Sequence, residues 1–244
     1  MRRWTAVLVV LAALIPASAH AYWFVDAQTG IAAAGYNDVR IPGDSGDTIS
    51  LTDDLRSDPA AYMRLRVGNT FLKRHTISFL YAPLTLVSHG RLDSRVLYDG
   101  VVFPEDSRVR AVYRFDSYRL TYRYDFIRSD KLEAGAGLTV KIRDASVALY
   151  GAEQAQFANT GVVPLVRFRL LWSFAPPVSL LLEGDALAGP QGRAEDAMLG
   201  LQLDFNEHVT GLLGYRILEG GADNDEVYTF SLIHFGVIGI TARF

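Results

Sequence analysis

The chain has 244 residues, with 24 Lys and Arg against 27 Asp and Glu and a formal net charge of −3. This mildly acidic balance argues against nucleic-acid binding, which requires a basic face. Cysteine is absent, so disulfides, thiolate catalysis and cysteine metal sites are excluded. We identify no motif for a cofactor or a metal and expect none to be bound.

The first 21 residues predict a cleaved signal peptide. Arg2 and Arg3 form its positive region, AVLVVLAALI over 6–15 is its apolar region, and Ala19-His20-Ala21 offers small residues for cleavage. The apolar run is too short for a membrane-spanning helix, which needs about 20 residues. No later run reaches that length, so a helical inner-membrane protein is excluded. We expect an exported mature chain, one domain over residues 22–244.

The mature chain is dominated by alternation with period two. In 118–126, 166–174 and 197–205, every second residue is apolar, and the residues between them are mostly polar or charged. Such alternation is typical of a β-strand with two different faces. The alternation changes phase around Phe115–Tyr118 and Arg143–Ala145, which predicts either a β-bulge or the point where a strand leaves its apolar surroundings.

Phenylalanines precede short polar turns or end the chain, at Phe71, Phe126, Phe174, Phe205 and Phe244. Aromatic rings gathered at strand ends are typical of the girdle at a membrane interface. The opposite strand ends are predicted to carry long polar loops over about 42–58, 88–107, 151–160, 188–195 and 219–225. Four short turns and five long loops predict ten strands, with eight or twelve as alternatives. Their expected spans are 23–41, 60–72, 75–87, 108–127, 131–150, 161–175, 177–188, 195–206, 208–218 and 226–244.

With its leader, its alternating strands and its closing segment VIGITARF over 237–244, the chain resembles the Gram-negative outer-membrane β-barrel superfamily. The resemblance implies an all-β, up-and-down antiparallel transmembrane barrel in the outer membrane, surrounded by lipid and lipopolysaccharide. It also implies that Phe244 serves as an assembly signal read by the barrel-assembly machinery, with periplasmic chaperones acting during export. We expect a monomer.

The main structural alternative is a soluble periplasmic β-barrel or sandwich, in which the apolar face would point inward. Against it, the aromatic rings of the apolar face lie at the strand ends, which suits a bilayer better than a core. Charged residues recur in the polar phase, and in a membrane barrel that phase faces the lumen.

The polar phase predicts a lumen filled by a charge network, because a ten-stranded barrel is narrow. Strand pairing around the turn after Phe174 places Arg167 opposite Asp185 and Arg169 opposite Glu183, where opposite charges stabilise each other. A polar plug is favoured over a selectivity filter or proton relay. Asp26 shares the phase, and the predicted network comprises Arg64, Arg66, Arg119, Arg123, Asp125, Glu133, Lys141, Arg143, Arg167, Arg169, Glu183, Asp185, Asp204 and Arg216.

Catalytic signatures are weak. His75 and His208 fall in predicted short turns, and His234 falls in the apolar phase. His89 lies near Ser88 and Asp93 at the outer rim, which leaves an outer-membrane hydrolase or lipid-modifying enzyme as an alternative. However, adjacent residues of a strand point to opposite faces, so Ser88 and His89 should not meet. The Asp-x-His element of the ten-stranded outer-membrane protease family is missing.

Two outer loops are rich in acidic residues: Asp44, Asp47, Asp53, Asp54 and Asp58 in the first, and Glu219, Asp223, Asp225 and Glu226 in the last. Their spacing matches no calcium loop, so a solvated surface is favoured over a metal site. A third functional alternative is adhesion through these loops. The preferred function is a non-catalytic outer-membrane barrel that is structural or passes small or apolar compounds.

Overall fold

A computed structural model describes residues 21–189 and 192–244 of the chain. The predicted signal peptide, apart from its last residue, lies outside the described residues, so cleavage after Ala21 stays a prediction. Within the described residues, no helix is long and apolar enough to cross a membrane. The strands are β1 (Tyr22–Arg40), β2 (Ile49–Ser50), β3 (Leu55–Asp58), β4 (Ala60–Phe71), β5 (His75–Ala82), β6 (Thr85–Arg91), β7 (Val96–Tyr98), β8 (Val101–Phe103), β9 (Arg108–Arg128), β10 (Leu132–Tyr150), β11 (Gln154–Ala175), β12 (Val178–Gly189), β13 (Gly192–Asp204), β14 (Val209–Asp223) and β15 (Tyr228–Arg243).

The long strands close into one antiparallel barrel. Each pairs with the next along the chain, and β1 pairs with β15 to complete the ring. Both β5 and β6 pair with β9, so together they form one wall strand that is interrupted at Pro83. Proline cannot donate to a strand ladder, which explains the break. The barrel therefore has ten wall strands, as predicted.

We call the end of the barrel that carries the short turns the lower end and the opposite end the upper end. An apolar belt surrounds the outside of the lower part. Large apolar side chains such as Leu138, Val162 and Leu213 are more than three-fifths exposed there. At the lower rim, Phe126, Phe174, Phe205 and Phe244 are exposed, whereas Phe71 is half-buried and stacks on His75. This belt and its aromatic rim are the surface expected of a barrel embedded in lipid.

Above the belt, the polarity of the two faces is reversed. Arg114, Asp116 and Asp144 point outward and form ion pairs, whereas Tyr113 and Val147 point inward and are buried. The pairing of β9 with β10 continues without a shift through this region. The predicted phase changes are therefore the points where the strands leave the apolar belt, and the bulge alternative is wrong there. Register shifts occur instead between Ala34/Tyr36, Ala134/Gly135 and Trp172/Ala175.

Three of the five predicted long loops are mostly strand. The connection between β10 and β11 is only 151–153, and β14 and β15 are joined by 224–227. Strand β12 continues to Gly189, and β13 starts at Gly192. The loop predictions failed because these hairpins stand in water beyond the belt, so their polar outward residues have a loop-like composition.

The two remaining connections, residues 41–59 and 92–107, lie at the upper end of the barrel and are called the cap; within the cap, β3 pairs with β6 and extends the wall. The cap contains the β7–β8 hairpin, and the Tyr98 hydroxyl donates to the Val147 carbonyl at 3.0 Å. Its apolar side chains form one buried core with inward side chains of the wall. From the cap, this core includes Ile41, Ile49, Leu51, Leu55, Leu92, Val96, Tyr98 and Phe103.

Candidate functional site: the lumen

The lumen contains two cavities of about 540 Å³ each. The lower cavity opens at the end that carries the short turns, and the upper cavity lies between the cap and the wall formed by β9–β15. Between them lies a layer of buried charged side chains that line neither cavity, which we call the seal. The seal consists of Arg64, Arg119, Asp185, Asp196 and Arg216, each at most 5 % exposed.

Asp196 lies at the centre of the seal. Its carboxylate accepts from Arg64 Nη1 at 3.3 Å and from Arg216, and it forms an ion pair with Arg119 Nη1 at 2.7 Å. Since Asp196 lies on β13, Arg119 on β9 and Arg64 on β4, these bonds cross the lumen between distant strands. Buried charges that are paired in this way hold their positions, because losing a partner leaves an uncompensated charge.

Asp185, within the seal, and Glu183, which lines the lower cavity, continue the charge cluster downward. Asp185 accepts from Arg119 Nη1 at 2.8 Å, from Arg167 Nη1 at 3.4 Å and from the Thr139 hydroxyl at 2.7 Å. Glu183 pairs with Arg167, with Arg66 at 3.4 Å and with Arg216 at 3.6 Å. The connected cluster thus joins five arginines to three carboxylates, which leaves an excess of positive charge in the lumen.

The predicted register across the β11–β12 hairpin is confirmed: Arg167 faces Asp185, and Arg169 faces Glu183. The predicted Arg167–Asp185 pair is present, but the Arg169–Glu183 pair is not. Arg169 Nη1 instead donates to Glu133 Oε2 on β10, at 2.8 Å. Glu183 already pairs with three other arginines. Arg169 therefore pairs with Glu133, which lies on the other adjacent strand, β10.

The remaining predicted network residues lie outside the seal. Arg123 pairs with Asp125 at 2.8 Å beside the lower cavity. Asp204 accepts from the Thr210 hydroxyl at 2.6 Å near the lower rim. Lys141 and Arg143 line the upper cavity; the Lys141 ammonium lies 4.8 Å from the centre of the Phe115 ring, and Arg143 donates to the Asn159 side chain. The charges of the lumen therefore lie at three heights: beside the lower cavity, in the seal, and beside the upper cavity.

Sequence reasoning missed Asp196. The alternation that identified Met198 and Gln202 as inward-facing extends by one more step to residue 196. The charged Glu195 interrupts the apolar phase directly before Asp196, so the composition there resembles the predicted polar loop 188–195. Gln28 was missed as well, although it follows the inward-facing Asp26 by two positions and accepts from Arg216 at 3.2 Å.

The geometry does not support a catalytic site at His89. Ser88 is buried and His89 is half-exposed, as expected for neighbours on opposite faces of β6. The nearest acidic partner of His89 Nε2 is Asp58, at 3.7 Å. His234 contacts Tyr215 on the outer surface, and His75 lies 2.8 Å from the Tyr122 hydroxyl. Within the described part of the chain, no three His, Asp or Glu side chains are grouped to hold a metal ion.

The chain end closes the barrel. Phe244 and Trp23 exchange backbone hydrogen bonds of 2.9 and 2.8 Å, and the Phe244 ring is 69 % exposed at the lower rim. The outward ring is available to lipid or to another protein, while the backbone completes the seam between the first and last strands.

No protein-family model and no curated protein matches the sequence. Among solved structures, the fold is similar to that of the outer membrane protease OmpT from Escherichia coli, with a TM-score of 0.61, 7 % identity, and coverage of 91 % of this chain and 97 % of that chain. Ail from Yersinia pestis has a TM-score of 0.41, 10 % identity, and coverage of 91 % and 99 %. The toluene transporter TodX from Pseudomonas putida has a TM-score of 0.35, 9 % identity, and coverage of 92 % and 90 %.

At these identities the similarity concerns the fold alone. The closed antiparallel ring of ten strands, the apolar belt and the aromatic rim agree with that fold. The chain therefore has the fold of an outer-membrane β-barrel.

Proposed function

We propose that this protein is a closed, non-catalytic barrel of the outer membrane. In its lumen, the seal separates the lower cavity from the upper cavity. The observation that carries this proposal is the seal. Arg119 and Arg216 are 1 % and 0 % exposed in the middle of the lumen, and their ion pairs connect opposite walls. A small barrel filled by side chains is packed rather than open. Passage of solutes through the lumen is therefore disfavoured relative to a structural or binding role.

Conductance in planar lipid bilayers tests the seal. The refolded wild-type barrel should insert without producing conducting steps. The double variant Arg119→Ser, Asp196→Ser removes one charge of each sign and shortens both side chains, so it should conduct. A matched double variant outside the seal, Arg123→Ser with Asp125→Ser, should stay closed. Wild-type conductance equal to that of the seal variant would contradict the proposal.

The outer surface of the barrel supports a proposal for the location of the protein and for the lipids around it. We propose that the apolar belt contacts outer-membrane lipid, and that the polar outward residues above it contact lipopolysaccharide, with the barrel as a monomer. Membrane fractionation combined with accessibility of cysteines introduced at Gln156 above the belt and at Ser129 in a lower turn would test this orientation. Only the Gln156 cysteine should react with an impermeant reagent on whole cells.

Phe244 is proposed to be the residue that the barrel-assembly machinery recognises. Deletion of Phe244 should lower the yield of heat-modifiable, folded protein in the outer membrane, because it removes the exposed ring and the two backbone hydrogen bonds to Trp23. Phe244→Ala keeps these hydrogen bonds and should lower the yield as well, since the ring is the proposed signal. Phe205→Ala, which removes another exposed ring at the same rim, serves as the control and should leave the yield close to wild type. An unchanged yield after deletion of Phe244 would refute this role.

A further inference from the structure

The upper cavity has the size and the lining of a site for a small organic molecule. Its volume of about 540 Å³ is within the range of roughly 300–1,000 Å³ found for ligand pockets. Most of its walls are apolar, with Phe115, Phe157, Val163, Leu187 and Leu218 among the lining residues. Leu187 is 39 % exposed although it points into the lumen, so this part of the wall is not covered by the cap.

The floor of the cavity carries a buried lysine without a counter-ion. Lys141 is only 3 % exposed, and it forms no salt bridge or hydrogen bond with any residue that the structure describes. The two seal carboxylates, Asp185 and Asp196, are both held by Arg119, which lies directly opposite Lys141 on β9. The contact of the ammonium with the Phe115 ring supplies no charge. Buried lysines are normally paired, so this position has an unused capacity for an anion.

A second cation lies beside the first. Arg143 follows Lys141 by two positions on the same inward face, and it also lines the cavity. It donates to the neutral Asn159 side chain, and its Nε has no partner among the described residues. The acidic residue of the lining, Glu219, is bound to Arg193. Together with the excess of arginine in the seal below, these residues give the cavity floor a positive potential.

We propose that the upper cavity binds a small amphiphilic organic anion, such as an aromatic carboxylate. The carboxylate would accept from the Lys141 ammonium, with Arg143 adding charge, and the apolar body would lie against Phe115, Phe157 and Leu187. The cavity lies above the seal, so the ligand enters from the outer side. This inference does not depend on whether the barrel conducts.

The test uses the full barrel in lipid nanodiscs, which avoids detergent micelles that would absorb the probe. The probes are 2-naphthoate and the uncharged 2-naphthylmethanol, with binding measured by calorimetry. Naphthoate should bind saturably, and at least about tenfold more tightly than the alcohol, as expected for one charge-assisted hydrogen bond. Lys141→Gln should remove this preference, whereas Lys131→Gln, the same change in an exposed turn, should keep it.

Three results would overturn the proposal: no saturable binding of naphthoate, equal affinity for both probes, or an unchanged preference in Lys141→Gln. Heat-modifiable migration and circular dichroism establish that each variant is folded. A second variant keeps the proposal falsifiable if Lys141→Gln does not fold. Leu187→Trp fills the cavity from its apolar side and should abolish naphthoate binding, whereas Leu182→Trp, on the lipid face of the same strand, should not. Retained binding in Leu187→Trp would also overturn the proposal.

Discussion

Below Lys141 the inward side chains of the barrel are mostly charged or polar and the outward ones apolar, whereas above Arg143 the inward side chains are apolar and the outward ones polar. The same strands, β9 and β10, run through both parts with unbroken pairing. The lower part therefore has the polarity of a membrane barrel, and the upper part has that of a soluble β-barrel with a hydrophobic core. What decides which face is apolar is the surroundings at each height, not the strand itself.

The largest effect is expected at the centre of the lower part. Asp196→Ala leaves Arg64, Arg119 and Arg216 without their shared carboxylate, and removing one partner of a buried ion pair costs about 3–5 kcal/mol. Urea unfolding of the barrel in lipid vesicles measures this loss. The control is Asp204→Ala on the same strand, whose carboxylate is exposed. A loss in Asp196→Ala as small as that of an ordinary exposed substitution would mean that the seal contributes little to stability.

In the upper part, stability should depend on apolar volume. Phe103→Ala in the cap removes a fully buried ring, and phenylalanine-to-alanine changes in cores cost about 3–5 kcal/mol. The loss is expected to fall on the cap, so limited proteolysis within 92–107 should become faster while the barrel stays intact. Val102→Ala, next to it but exposed, should leave the cleavage rate unchanged. Faster cleavage in both variants would mean that the cap has no core.

Arginine substitutions on the outer face separate the two parts directly. Leu138 lies midway along the lipid-facing segment of β10, paired with Tyr122 and Val166. An arginine at mid-bilayer costs about 2–4 kcal/mol, so Leu138→Arg should be destabilising by that amount. Gln156→Arg, outward above the belt, should be nearly neutral. The two variants would be equally stable if the boundary between the parts were misplaced.

The smallest effect concerns an exposed ion pair above the belt. Hydrogen bonding to Arg193 holds the pKa of the Glu219 carboxyl below its ordinary value, so the pair favours the folded state at neutral pH and this contribution is lost as the pH falls through the lowered pKa. Arg193→Gln should raise the pKa of Glu219 in a carbon-13 NMR titration, with little change in stability. Arg91→Gln, at another exposed pair, should leave it unchanged.

The sequence predicted the lower part better than the upper part. Where lipid faces one side of a strand and charges face the other, the two phases differ strongly, and Arg167 and Asp185 could be paired from the alternation alone. Above the belt, short side chains such as Ala111 and Ser146 occur on both faces, so the composition of the β10–β15 hairpins indicates loops. The cap could not be predicted, since its core depends on contacts between Leu51, Leu92 and a distant wall.

The candidate site was predicted in its residue types but not in its grouping. Alternation assigns each side chain to one face of its strand. It does not give the distances between side chains of different strands across the lumen. Hence Arg169 was paired with Glu183, its neighbour on one adjacent strand, although Glu133 on the other adjacent strand holds it. The isolation of Lys141 could not be inferred either, because it depends on Arg119 engaging both nearby carboxylates.

The seam between β1 and β15 has a consequence for folding kinetics. Phe24 pairs with Arg243, and the pairing continues to Arg40 with Tyr228, so these contacts join residues from the two ends of the mature chain. Contacts at such sequence separation form slowly, because the closure entropy of the whole chain must be overcome before they contribute. The ring can close only after the other wall strands are in place. Once closed, its opening requires the loss of sixteen paired positions, so the native barrel should persist through a high barrier to unfolding.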